Sequence, residues 1–396
     1  MVSRAKKALS NTGIWKLKVV KFNDLFNRLL SEHSVSSTNP MIDQSNMGVI
    51  NLLAETLEGL GFSCEIVPVE GSHAKANLIA TLGSGPGGLV LSGHTDTVPF
   101  DESLWDTSPL GMTEKDNRLY GLGATDMKGF FAVVHEAIQD FLDADLKQPL
   151  IILATADEES SMSGARTLAK LGKPKARAAV IGEPTGLRPI HMHKGIMMES
   201  IHVQGQSGHS SNPALGKNAL EAMHDVITAL MRFRQELQME YHNPHFIIDV
   251  PTINLGVIHG GDNPNRICGH CDLEFDVRLL PGMAGEAVRE KIESLIRPIA
   301  SKHQTAIKLT RLIPGVEPFD NRDTELVKMA EVLTGHSPES VAFGTEGPFL
   351  QQLGMDTIIM GPGSIDQAHQ PNEYMELSQV KPCIGILQQL IKNYCL

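Results

Sequence analysis

Gly88-Leu-Val-Leu-Ser-Gly-His-Thr-Asp96 decides the reading of this chain. Its first half is short and continuously apolar, the pattern of a strand covered on both faces of a parallel sheet. Its polar half follows at once. The same arrangement recurs where Leu150-Ile-Ile-Leu-Ala154 runs into Asp157-Glu158-Glu159, and where Ala178-Ala-Val-Ile181 runs into Glu183. Three such strands would bring their acids and imidazole to one sheet edge, beyond the carboxyl ends, where open α/β sheets bind ligands. Carboxylates gathered there without a basic partner would repel one another and raise their pKa values, unless a cation sat between them. A metal site is therefore expected.

A length of 396 residues favours two or three domains. The formal net charge of −12 argues against nucleic acid or an anionic membrane surface as partner. No stretch reaches the roughly 18 unbroken apolar residues of a membrane helix. Near the start, Arg4, Lys6, Lys7, Lys16, Lys18 and Lys21 interrupt every apolar stretch. No secretory signal is expected there, and residues 1–25 read as a loose basic extension. An odd count of 5 cysteines fits a reducing compartment, the cytoplasm, better than a disulfide framework. Cys268-Gly-His-Cys271 has a zinc-like spacing, but no second pair follows. The surrounding Arg266 to Arg278 reads as a strand, so these cysteines are expected to be ordinary strand residues.

From Asp43 to Phe62, apolar residues recur at helical spacing and Gly61 marks a stop. Strand and helix then alternate to about residue 190. A second pattern begins near Met197. It reads strand (Glu199 to Val203), helix (Ala219 to Leu237), strands (Thr252 to Ile258, Cys271 to Leu279), helix (Glu286 to Ile299) and strand (Ala306 to Leu312). That β-α-β-β-α-β order is a compact unit of its own. The α/β pattern resumes with a helix from Thr324 to Leu333 and the apolar run Thr357 to Met360, and His369 lies just beyond. If His369 joins the earlier ligands, the first and last segments form one domain and the middle is an insertion.

His94 and Asp96, two apart at a strand end, project to the same side. The carboxylate is then expected to accept the second imidazole N–H while the other ring nitrogen faces a metal. Asp126 closes the turn Gly121-Leu-Gly-Ala-Thr-Asp126 before a helix, where an acid also serves as a cap. The turn lacks the third glycine of a dinucleotide fingerprint and ends in an acid that would repel a pyrophosphate. Glu158 and Glu159 point in different directions, so one carboxylate can bind metal while its neighbour reaches an activated water. Glu183 repeats the strand-end placement. Two ions sharing a carboxylate would polarise a carbonyl and acidify a bridging water, which is amide-hydrolysis chemistry.

Six strings carry a resemblance: Gly93-His-Thr-Asp-Thr-Val-Pro99, Gly121 to Gly129, Thr155-Ala-Asp-Glu-Glu159, Ile181-Gly-Glu-Pro-Thr185, Gly205-Gln-Ser-Gly-His-Ser-Ser211 and Gln367-Ala-His-Gln-Pro-Asn-Glu373. In order, from about Asp43 to the C-terminus, they resemble the dinuclear-zinc aminoacylase and carboxypeptidase (M20) family. The resemblance implies an α/β fold: a zinc-exopeptidase-like catalytic domain with a mixed sheet over residues 26–195 and 313–396, and an inserted ferredoxin-like lid or dimerisation domain over 196–312. It implies two divalent metals, zinc foremost and cobalt as a substitute. His94 and Glu183 would hold one, Glu159 and His369 the other, and Asp126 would bridge. Asp96 would orient His94, Glu158 would be general base and then acid, and His209 would stabilise the oxyanion, either by closure of its own subunit's inserted domain or from the partner of a homodimer. Asn265, Arg278, Thr345 and Glu346 would line the substrate, Glu346 either meeting an ammonium or lying as a solvated loop acid. The implied activity is deacetylation of N2-acetyl-L-ornithine, a small-molecule N-acyl amino acid. The alternatives are desuccinylation of a diamino acid and a broader aminoacylase. A non-catalytic metal binder would have no use for Glu158.

Overall fold

The computed structural model describes residues 21–72 and 74–396. The strand that opens the sequence argument, Leu89–His94, lies near the middle of a mixed sheet. Leu150–Thr155 and Ala178–Pro184 flank it, both parallel to it, and Asp356–Gly361 pairs in parallel with the far side of Ala178–Pro184. Side-chain alternation explains why these runs are apolar throughout. Leu89, Leu91, Ile152, Ala154 and Val180 face one core, which helices Lys128–Ile138 and Leu377–Cys395 complete. Val90, Ile151, Leu153, Ala179 and Ile181 face another core, closed by Leu168, Leu350 and Leu353. Antiparallel strands extend the sheet. Ala76–Leu82 and Ser63–Pro68 lie beyond Leu150–Thr155, and Ile190–His193 lies beyond Asp356–Gly361.

The strand after Leu89–His94 in the parallel set lies on one side of it, and the next lies on the other. That reversal opens a crevice at its carboxyl end. Close packing there constrains the backbone. A Cβ on Gly182 would come within 2.3 Å of the Phe130 ring, so only glycine lets helix Lys128–Ile138 approach the strand ends.

The second unit is an antiparallel sheet in the order Thr252–Gly260, His270–Leu279, Gly195–Gln204, Ala306–Arg311. Helices Ala219–Glu240 and Gly285–His303 cover one face through a separate core that includes Val226, Leu230, Phe275 and Ile292. The expected β-α-β-β-α-β order is present, with helix ends a few residues further out.

Two expectations need correction. Helix Phe22–Ser31 begins inside the supposed loose extension and buries Leu25 and Phe26, because its apolar residues recur on one helical face. Residues 1–20 lie outside the described residues. The strand near the cysteines starts at His270, so Cys268 precedes it. The Cys268 thiol donates to the His270 carbonyl at 2.9 Å, and only Cys271 is a strand residue.

Candidate metal centre and active site

Each candidate ligand is delivered by a strand end or by the turn behind it. His94 ends its strand, Glu158 and Glu159 follow Leu150–Thr155, and Glu183 is the penultimate residue of strand Ala178–Pro184. Asp126 precedes helix Lys128–Ile138, whose N-terminal dipole favours a carboxylate. The N-cap residue itself is Met127, which makes no side-chain cap hydrogen bond. His369 follows the short turn Ile365–Gln367 with φ +60°, a left-handed conformation uncommon for a non-glycine residue.

The side chains meet. His94 Nε2 lies 3.0 Å from Asp126 Oδ1, and His369 Nε2 lies 3.4 Å from Asp126 Oδ2 and 2.9 Å from Glu159 Oε2. Asp126 thus offers one oxygen to each imidazole. Donor atoms of His94, Asp126 and Glu159 all lie within 4.8 Å of one another. Glu158 and Glu183 join Asp126, Glu159 and His369 around one cavity of about 300 Å³. Its opposite wall is apolar, formed by Ile196, Met198, Ile313, Pro314, Val316 and Phe343.

The electrostatics show what this cluster lacks. Burial pulls the His94 imidazole down, yet Asp126, Asp96 and Glu183 outweigh it and hold its pKa well above the ordinary value. Hydrogen bonds to Asp126 and Glu159 raise His369 to about 10. Burial, then the charge of Asp126, raises Glu159 to about 7. Burial raises Glu183 to about 8, His94 opposing and Asp126 and Glu159 adding to the rise. Burial and Glu183 push Glu158 well above the carboxylate range. For Asp126 burial also acts upward, but its bonds to His369 and His94 win and lower it. Without a cation, these shifts favour positively charged imidazoles and neutral carboxyls in place of a cluster of carboxylates. Glu159 Oε1 is buried with no hydrogen-bond partner. Two imidazoles, three carboxylates with one carboxylate common, and an unpaired buried oxygen fit a pair of divalent ions.

The surrounding groups depart from expectation in instructive ways. His94 Nδ1 hydrogen-bonds the backbone carbonyl of Asp96 at 3.0 Å, while the Asp96 carboxylate stands 3.7 Å away. That carboxylate instead accepts the Glu159 N–H at 3.0 Å, so it braces the loop of the acids. Asp157 turns away with φ +61° and pairs with Lys75, Ser36 and Ser163. Glu346 is no solvated loop acid. It is buried, accepts from Thr155 Oγ1 at 2.8 Å, and burial raises it to about 7. Thr345 is buried beside it, and the cavity wall takes Phe343 and Gly344 from that segment instead. His209, Asn265 and Arg278 are likewise not brought to the cavity. His209 is exposed and bonded to Ser211 at 2.8 Å, and Arg278 donates to Asp276 at 2.9 Å.

Sequence reasoning gave no role to Glu373, although it closes the last of the six strings. It is buried and accepts the N–H groups of Gly123 at 3.1 Å, Thr125 at 2.7 Å and Asp126 at 3.0 Å, which fixes the turn presenting Asp126. Lys75 gave no local signal at all.

A parallel-centred mixed sheet with imidazoles and carboxylates converging at its strand ends, joined to a βαββαβ unit, defines a metallohydrolase of the exopeptidase type. The chain belongs to peptidase family M20/M25/M40, whose profile matches residues 90–393. Over 384 residues it is 47% identical to the acetylornithine deacetylase of Proteus mirabilis, a match covering 96% of this chain and 98% of that protein. Among solved structures it resembles aminopeptidase PepT of Bacillus cereus (TM-score 0.72, 19% identity, 94% of this chain and 97% of that one). It also resembles YxeP of Bacillus subtilis, described as a dinuclear metal-binding peptidase of the M20 family (TM-score 0.65, 15% identity, 93% and 96%). The two structures attest the fold. The family expected from the six strings is the family found, and membership makes the chain a metal-dependent hydrolase.

Proposed function

We propose that the chain hydrolyses the amide bond of N2-acetyl-L-ornithine, releasing acetate and L-ornithine, as a step of arginine biosynthesis. The observation that carries this reading is the Asp126 carboxylate shared between the His94 and His369 imidazoles at the wall of a cavity that also holds Glu158 and Glu183. Identity of 47% to a named acetylornithine deacetylase over nearly its whole length supports the choice of substrate. In this reading His94 and Glu183 hold one divalent ion, Glu159 and His369 the second, and Asp126 serves both. Zinc suits the donor set, and cobalt substitutes for it. When bound, the ions polarise the acetyl carbonyl and acidify the attacking water.

The remaining steps belong to the chain's own groups. Glu158 takes a proton from the water that adds to the acetyl carbon, then delivers it to the amide nitrogen as the C–N bond breaks. Its raised pKa suits the donating stage, and nearby cations favour the ionised form for the accepting stage. Asp96 steadies His94 through its carbonyl and Glu159 through its carboxylate. Residues 26–195 and 313–396 act as the catalytic unit and 196–312 as the insertion that brings His209 to the oxyanion and Asn265 and Arg278 to the substrate carboxylate. That requires closure or a partner subunit. A homodimer is supported by the edge strand Thr252–Gly260, which exposes Val257 and Ile258 and pairs on one side only among the described residues. A cytoplasmic setting is supported by free thiols at Cys64, Cys268, Cys271, Cys383 and Cys395. Among the described residues no helix is long and apolar enough to cross a membrane.

Turnover of a panel of N-acyl amino acids, with bound metal measured alongside, tests the reading. Glu158→Gln should keep metal while losing on the order of 10² to 10⁴ in kcat. Normal turnover in that variant, or full activity in chelated protein, would refute it. His209→Ala mixed with Glu158→Gln should partly restore activity if His209 acts across the interface.

A further inference from the structure

Arg166 belongs to none of the six strings, yet it joins the two parts of the molecule that have to act together. It lies in helix Ser163–Leu171, directly after the loop of residues 157–162 that carries Glu158 and Glu159. Its Nε donates to the Ser161 carbonyl at 2.9 Å, and its Nη2 donates to the Gly315 carbonyl. The guanidinium lies 4.9 Å from the centre of the Phe349 ring, so stacking fixes its plane while hydrogen bonds fix its edge.

Gly315 is part of the segment by which the chain returns from the four-stranded sheet. Its neighbours Ile313, Pro314 and Val316 line the cavity of the candidate site. Val316 is tied to Ile196, at the start of that sheet, by reciprocal N–H to carbonyl bonds of 2.8 Å each. The outgoing strand and the returning linker of the inserted unit are therefore fastened together, and one guanidinium fastens them to the loop of catalytic acids. The other end of that loop is anchored independently, by Asp157 on Lys75, Ser36 and Ser163. Arg166 holds the end that faces the linker.

We infer that Arg166 is a positioning residue that couples the linker of the inserted unit to the loop bearing Glu158 and Glu159. A shift of the linker is carried by the rigid fork to Ser161 and so to the acids. The inference rests on the site assignment proposed above. A lysine, with a point charge and no fork, holds one carbonyl but not both at fixed separation.

The test uses the full-length, zinc-loaded chain with Arg166→Ala and Arg166→Lys, following kinetics on N-acetyl-L-ornithine, bound zinc, and hydrogen exchange of segments 158–162 and 312–317. The alanine variant should lose about 10- to 100-fold in kcat/KM, with kcat sharing the loss, as a small misplacement of catalytic groups does. Zinc content should hold, and the two segments should exchange faster together while strand Leu89–His94 stays protected. The lysine variant should recover part of the activity, and it carries the same test if the alanine variant fails to fold. Unchanged kcat/KM in a folded alanine variant overturns the coupling, as does faster exchange in one segment alone or activity lost in step with zinc. Glu158→Gln in the same assay separates the failures. If it is active, the site assignment has failed; if it is inactive beside a fully active Arg166→Ala, only the coupling has failed.

Discussion

Replacing Glu373 probes the support of the metal centre without touching a candidate ligand. Its carboxylate is buried and accepts three backbone N–H groups, from Gly123, Thr125 and Asp126. Glu373→Ala leaves those three donors without a partner in a place water reaches poorly. At about 1 to 3 kcal/mol for each buried unsatisfied group, partly relieved by an entering water, the loss is roughly 3 to 5 kcal/mol. That is a large share of a typical folding free energy of about 5 to 15 kcal/mol. Glu373→Gln is milder. Its oxygen can keep Thr125 and Asp126, but its NH₂ then faces the Gly123 N–H, so one bond becomes a clash of donors costing about 1 to 3 kcal/mol. Because the turn presents Asp126, zinc affinity should fall about 10- to 100-fold in the alanine variant, the usual effect of removing an outer support. Urea unfolding with and without zinc gives the stability change, and competition with a chelator gives the affinity. Burial and the charge of Asp126 raise Glu373 to about 8. Bound cations would favour its ionised form, so the gap between wild type and Glu373→Gln should be wider with zinc than without. Wild-type stability and zinc affinity in Glu373→Ala would refute the reasoning.

Three further outcomes follow from the same geometry. In metal-free protein, Glu183 and Glu159 have folded pKa values raised to about 8 and 7, so their stabilisation is complete below the unfolded carboxyl pKa and lost as pH rises through those values. Thermal unfolding of chelated protein should therefore weaken by on the order of a few kcal/mol between about pH 5 and 8, whereas zinc affinity should climb over the same window because its ligands must lose protons; a flat chelated profile would contradict this. Lys75→Met strands the buried Asp157 and should cost about 3 to 5 kcal/mol in denaturant unfolding, with the double variant Lys75→Met, Asp157→Asn, which removes the stranded charge, less damaged than the single one. Gly182→Ala places a methyl 2.3 Å from the Phe130 ring and should lower stability by about 1 to 3 kcal/mol and loosen Glu183, read as weaker zinc binding.

What the sequence determined by itself was local in origin. Short apolar runs such as Leu150 to Ala154 are buried strands because their side chains alternate between two cores, and the acids that follow must then emerge at the strand ends. The βαββαβ order was legible for the same reason: helix and strand periods differ, and each element carries its own. The six strings carried the family. Tertiary structure alone decided which partner each polar group takes. Asp157 and Glu158 are neighbours in sequence, yet one turns to a lysine 82 residues away and the other to the cavity. Glu373 reaches a turn 248 residues earlier, and His94 chooses a backbone carbonyl over the carboxylate two positions on. Arg166 binds two carbonyls, which every residue possesses. Such pairings leave no local trace, because a backbone acceptor has no residue type and a contact across hundreds of residues has no period. Only the folded chain brings them within bonding distance.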